Sequence, residues 1–265
     1  MRGRLAAAVL TAAAVGLASA AHGALLTAKH YVFDVPPIAR GGGYQTEAYL
    51  YEARSVTIYA LLKGEGATQR DAVAGSIAEL AKKPHTVVVN GGFSSYSPAA
   101  AAGLLMANGR VVNPLSLARN RTTKDLQLSG VLCQRADGRM RILHAEDPAA
   151  TSAACRSALQ AGPLVVEGGR NVIHADEMAK PRYLRTLIGL DSHGRAYVIV
   201  FTRPVNLYAA ADLLRGASNG GADPKRPKLD IVLNLDGDTS TVLVDHGAVV
   251  IGDPTALHPS ALVVQ

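Results

Sequence analysis

Residues 229–244 constrain this chain more than any other stretch. They read Leu-Asp-Ile-Val-Leu-Asn-Leu-Asp-Gly-Asp-Thr-Ser-Thr-Val-Leu-Val. Two short apolar runs, rich in leucine and β-branched residues, flank a compact polar centre. That pattern predicts two buried strands with a turn between them. Gly237 lets the backbone turn sharply or come close to a ligand. The centre crowds Asp236 and Asp238 with Thr239, Ser240 and Thr241 at one edge of a sheet. Carboxylates that close repel, so they call for a metal, another cation or a proton between them. A plain hairpin turn carries the same signature, because Asp-Gly is a frequent hairpin pair.

The chain has 265 residues, 48% hydrophobic and 18% charged, which suits a folded domain with a sizeable core. Met1-Arg2-Gly3-Arg4 is basic and an apolar, alanine-rich stretch follows to about Leu17. We read residues 1–23 as a secretory signal peptide and 24–265 as one domain. Ala18-Ser19-Ala20 and Ala21-His22-Gly23 are the candidate cleavage sites. The apolar run is short for a membrane anchor, and no later stretch is long and apolar enough to span a bilayer. The expected location is therefore secreted or periplasmic. Loss of Arg2 and Arg4 lowers the formal charge from +6 to about +4. The basic residues are scattered apart from Lys225-Arg226-Pro227-Lys228, and no nucleic-acid motif is present. Cys133 and Cys155 either pair, in an oxidising compartment, or remain two buried thiols; spacing does not decide between them.

Strands are expected at residues 30–35, 55–61, 86–89 and 196–201. Hairpins are expected at 103–112, at 129–143 through Asp137-Gly138, and through Asp245-His246-Gly247. Helices are expected after Thr68 and Asp71, whose spacing is that of a capping box, at residues 151–159, and from Leu207 to Leu214 with Asn206 as cap and Gly216 as stop. Strands outnumber helices and adjacent strands join by short turns. The expected fold is one α+β domain with a mixed, mostly antiparallel β-sheet flanked by a few helices.

Three further stretches place polar residues where strands begin or end. Asn90-Gly91-Gly92-Phe93 follows a fully apolar strand. Gln160-Ala161-Gly162-Pro163 opens another. Arg185-Thr186, with Gly189 beyond, precedes a strand that ends at Asp191. An amide can donate and accept at a ligand, or tie down its own loop. An arginine at a sheet edge can hold phosphate bidentately, or serve as a surface salt bridge.

In this order, the four stretches resemble the phosphodiester glycosidase family. Its animal member removes the N-acetylglucosamine that covers mannose 6-phosphate on lysosomal enzymes, and many bacterial members are exported. The resemblance runs from about residue 86 to residue 244. Two positions depart from it: Ser94 stands where a second aromatic is common, and Asp238 where glycine or serine is usual.

The resemblance implies hydrolysis of a sugar-1-phosphodiester at the sugar carbon, through an oxocarbenium-like state. Asp236 would be nucleophile or base, and Arg185 would neutralise the leaving phosphate. Asn90 and Gln160 would hold sugar hydroxyls or phosphate oxygens. Gly91, Gly92, Gly162, Thr186, Gly237, Thr239 and Ser240 would line the pocket, with Asp191 a further candidate. The expected partner is a small phosphorylated glycan. No cofactor is certain; calcium or magnesium at Asp236 and Asp238 is the candidate cation. No histidine has zinc-site spacing. Two other readings of residues 236–240 fail on position. The Asp-x-Asp motif of aspartate-nucleophile phosphatases opens its domain, whereas this one lies near the end of the chain. A calcium loop needs glycine at Thr241 and glutamate at Gly247. The alternative function is a non-catalytic envelope protein that binds phosphorylated glycans or anionic polymers.

Overall fold

The computed structural model describes residues 26–35, 42–61, 76–95, 100–121, 127–151, 154–174, 181–215 and 228–265. The leader, Thr68, Asp71, Gly216 and the Lys225-Arg226-Pro227 run lie outside these residues. The strands in chain order are β1 (Lys29–Val35), β2 (Tyr44–Ala53), β3 (Val56–Ala60), β4 (Val87–Asn90), β5 (Leu105–Ala107) and β6 (Arg110–Asn113). They continue with β7 (Gly130–Gln134), β8 (Met140–His144), β9 (Ser157–Ala161), β10 (Leu164–Glu167), β11 (Arg170–Asn171) and β12 (Tyr183–Asp191). The last five are β13 (Ala196–Val205), β14 (Leu229–Gly237), β15 (Leu243–Asp245), β16 (Ala248–Ile251) and β17 (Ser260–Val264). The described α-helices are α1 (Ile77–Leu80) and α2 (Leu207–Leu214).

Three sheets form. The first runs β1-β2-β13-β12-β14-β10-β11, the second β16-β15-β4-β17-β3, and the third β6-β5-β9-β7-β8. Every described pairing is antiparallel. The fold is therefore more β-rich than the α+β expectation, with helices of only four and eight residues among those described. Residues 151–159 account for part of the difference. Pro148–Thr151 is a 3-10 turn and Ser157–Ala161 is a strand, not a helix. Cys155 is bonded to Cys133, and Cys133 pairs with Ala158 in register, so this segment lies alongside β7. Both helix caps have a direct cause: Ser76 accepts from the Glu79 N–H, and Asn206 from the Ala209 N–H.

The main core lies where the inner faces of the three sheets meet. Tyr51 and Ile188 come from the first sheet, Val89 and Leu262 from the second, and Leu132 and Leu159 from the third. A second core packs α2 on the other face of the first sheet, through Tyr197, Phe201 and Leu214. Alternation along each strand supplies both layers, as in β12, where Leu187 faces α2 and Ile188 faces the main core.

Candidate active site

The two apolar runs of residues 229–244 do not pair with each other. β14 lies in the first sheet against β12 and β10, whereas β15 lies in the second against β4 and β16. The polar centre is a crossing between sheets, with Asp238–Ser240 as a single 3-10 turn. Asp236 therefore sits where the two sheets part.

Asn90, 1% exposed at the end of β4, ties this junction together. Its Nδ2 donates to the Asp236 carbonyl at 2.7 Å. Its Oδ1 accepts from Thr186 Oγ1 at 2.6 Å and from the Val242 N–H at 3.1 Å. The next residue continues the work through its main chain. The Asp236 N–H donates to the Gly91 carbonyl at 3.1 Å, and the Gly91 N–H to the Ser260 carbonyl at 2.9 Å. A Cβ on Gly91 would collide with the Ser260 hydroxyl and come within 2.9 Å of its carbonyl carbon. Only glycine fits between these strands.

The Asp236 carboxylate accepts from the Gly237 N–H at 2.8 Å, and also from the Ser240 hydroxyl and the Ser94 N–H. Burial raises its pKa above the ordinary 3.8, and these donors oppose the rise. Ser94 contributes through its backbone, which any residue type supplies, so its departure from the family pattern leaves this contact intact. In electrostatic reach of Asp236 is a residue that sequence reading did not select, His258. It is 7% exposed, and its Nε2 is buried without a hydrogen-bond partner. Its ring also bonds the Asp253 backbone carbonyl. Burial lowers its pKa below the ordinary 6.5, opposed by the negative charge of Asp236, so it is neutral at pH 7. A lone histidine in an irregular segment carries no periodic or spacing signal. The one pointer is its position two residues before Ser260, where the chain enters β17.

The remaining sequence candidates divide. Gly91, Gly92, Thr186, Gly237 and Ser240 gather around Asp236. Thr239 is exposed on the same turn. Asp238 is also exposed, with φ +55°, and its carbonyl accepts from the Thr241 N–H. Among the described residues, no group of three or more His, Cys, Asp or Glu is arranged to hold a metal ion. Gln160 is 2% exposed and all its polar capacity is taken up by loops. Oε1 accepts from the Leu104 and Ser116 N–H groups, and Nε2 donates to the Ser116 and Leu128 carbonyls. Gly162 accepts from Asn234 Nδ2 at 2.9 Å and so fastens β10 to β14. Arg185 pairs in register with Gly237, but as the residue directly before Thr186 it lies on the opposite face of β12. Its Nε lies 3.4 Å from the Val205 carbonyl and its guanidinium 5.2 Å from the Tyr183 ring centre. Asp191 is at the far end of β12, paired with Leu229, and accepts from Arg195 and the His193 N–H. The structure does not bring it to Asp236.

The model of a family described as phosphodiester glycosidase matches residues 84–264. The chain belongs to the phosphodiester glycosidase family. The match continues past residue 244 and takes in His258 and Ser260. No curated protein matches the chain significantly. Among solved structures, the zebrafish N-acetylglucosamine-1-phosphodiester alpha-N-acetylglucosaminidase catalytic domain, auto-inhibited by its pro-peptide, aligns with a TM-score of 0.66 at 17% identity. That alignment covers 92% of this chain and 85% of the other. A protein from Synechocystis aligns at 0.58 and 14% identity, over 91% of this chain and 62% of its own. A Burkholderia pseudomallei K96243 protein described as exported aligns at 0.51 and 12% identity, over 84% and 74%. At these identities the likeness is one of fold. In this phosphodiester glycosidase chain, no described helix is long and apolar enough to cross a membrane.

Proposed function

We propose that the chain is an exported hydrolase of sugar-1-phosphodiesters, releasing free sugar and a phosphomonoester. The observation that carries this reading is the half-buried Asp236 carboxylate with the buried His258 ring in electrostatic reach of it, at the junction of two sheets. A desolvated carboxylate is suited to stabilise an oxocarbenium-like centre. The C1–oxygen bond to phosphate breaks, and the phosphomonoester leaves with the bonding electrons. Water adds at C1, and its proton passes to the free Nε2 of neutral His258. A phosphate leaving group needs little acid assistance, so one base and one carboxylate suffice. In this reading Asn90 and Gln160 are positioning residues: Asn90 holds the Asp236 main chain, and Gln160 holds the loops beside Gly92. Export rests on the basic, apolar leader and on the description of the Burkholderia protein.

The test is hydrolysis of an aryl phosphodiester of N-acetylglucosamine 1-phosphate by residues 24–265, with EDTA and with added calcium as separate arms. We expect release of sugar and aryl phosphate, lost in Asp236→Asn with the fold retained. Full activity in that variant would overturn the assignment. Inactivity of the wild type across a panel of sugar-1-phosphodiesters would favour the binding-protein alternative. Loss of activity with EDTA, restored by calcium, would show a cation at the site.

A further inference from the structure

The described surface holds a polar concavity away from Asp236. It is a cleft of about 380 Å³ between β3 and the turn end of the third sheet. Thr57 to Ala60 form one wall. The other is built from Asn108 of the β5–β6 turn, Gln134 and Arg135 of the β7–β8 hairpin, and Arg156 and Ser157 at the start of β9. Both arginines are exposed at its mouth. Arg110 and Arg139, also exposed, come from the same two hairpin turns. Asp137 is the carboxylate in this group, with Oδ2 3.6 Å from Arg135 Nε. The scattered arginines of the sequence are thus collected by topology. Two β-turns and one strand start bring four of them to one end of one sheet.

The cleft is tied to the catalytic region by a rigid element. Arg156 directly precedes β9, and Gln160 lies on it four residues later, about 13 Å along an extended strand. The Gln160 carbonyl is 2.9 Å from where a Cβ of Gly92 would stand. The Cys133–Cys155 disulfide fixes the strand ends that carry Gln134 and Arg156.

We propose that this arginine cleft binds a polyanionic chain, a polymer bearing repeated phosphate groups. Planar guanidinium groups at the mouth of a polar cleft recognise phosphate oxygens bidentately, and several cations at one edge favour a ligand with several anions over a single one. That the polymer is also the substrate, with a terminal sugar phosphate reaching Asp236, rests on the function proposed above; the binding itself does not.

The experiment measures binding of long-chain inorganic polyphosphate to the mature protein by fluorescence anisotropy across a salt series. Three variants are compared with wild type: Arg135→Gln/Arg156→Gln, a control Arg54→Gln/Lys228→Gln that removes equal charge elsewhere, and Asp236→Asn. Thermal melts verify folding. We expect the cleft variant to lose about tenfold or more in affinity, with a shallower dependence on salt, because each charge-assisted contact is worth roughly one tenfold step. The control is expected to bind nearly as wild type does. Equal losses in the two double variants, or no loss in either, would overturn the proposal. Asp236→Asn separates the two readings. Retained binding with lost turnover supports both. Retained turnover in that variant would sink the catalytic assignment while leaving the cleft standing.

Discussion

Asn90 Nδ2 donates to the main-chain carbonyl of Asp236 at 2.7 Å, across 146 residues of sequence. The amide that precedes the double glycine therefore acts on the backbone of the acidic residue and not on its carboxylate. Replacing Asn90 by alanine would leave the Asp236 carbonyl, the Thr186 hydroxyl and the Val242 N–H unpaired in a buried site. We expect a loss of about 2–4 kcal/mol of stability in urea unfolding, together with a fall in kcat, since Asp236 would no longer be held in place. Unchanged stability would show that the junction is not built on this side chain.

His258→Gln should lower kcat/KM on the aryl phosphodiester by about 10²–10⁴-fold, the usual contribution of a general acid or base. Its melting temperature should stay near that of wild type, because glutamine can still reach the Asp253 carbonyl. The pH profile follows from the two shifted groups. Activity requires Asp236 ionised and His258 neutral. The Asp236 pKa is raised above 3.8 by burial, so the acid limb of kcat/KM should lie above pH 3.8, while His258, lowered below 6.5 by burial, is already neutral at pH 7. An acid limb below pH 3.8 would contradict the assignment.

Asp191 is 6% exposed and accepts from Arg195 and from two backbone N–H groups. Those bonds hold its pKa below 3.8 against the opposing effect of burial. A carboxylate with a depressed folded-state pKa adds stability above its unfolded value and loses it as pH falls through the folded one. Asp191→Asn should therefore melt lower than wild type at pH 7, with the gap closing below about pH 4. Turnover at pH 7 and 25 °C should be retained, because this end of β12 is remote from Asp236. Loss of turnover in a folded Asp191→Asn protein would return this residue to the site.

Cys133 and Cys155, 22 residues apart, are bonded with their Cα atoms 5.4 Å from each other. Opening a loop of this size by the double serine variant should cost about 3 kcal/mol in the chain-entropy account. A urea midpoint unchanged by the double substitution, or by reductant, would show that the bridge contributes nothing.

Much of this architecture was legible in order. The Asp137-Gly138 and His246-Gly247 turns, the Asn206 cap and the apolar run before Asn90 were all read correctly from local chemistry. The resemblance, carried by four motifs, led to the right family. What local sequence did not show shares a cause. Residues 151–159 looked helical because their pairing partner, β7, is set by a disulfide and a register that no local pattern reveals. The loop contacts of the Gln160 amide carry no local signal, because its three partner residues, Leu104, Ser116 and Leu128, lie 32 to 56 positions away. Arg185 and Asp236 are near in register, yet their pleats direct them differently.

By itself the sequence determined most of the strands, several of the turns, and polar residues such as Asn90 that stand at strand ends. Alternation, turn chemistry and capping act over a few residues, and their signals survive in one dimension. Tertiary structure alone decided that β14 and β15 part into different sheets, that Asn90 grips the backbone of Asp236, and that His258 comes into electrostatic reach of its carboxylate. Those outcomes depend on close approach between distant segments, where a missing Cβ at Gly91 and the satisfaction of buried polar groups select one arrangement of strands over its rivals.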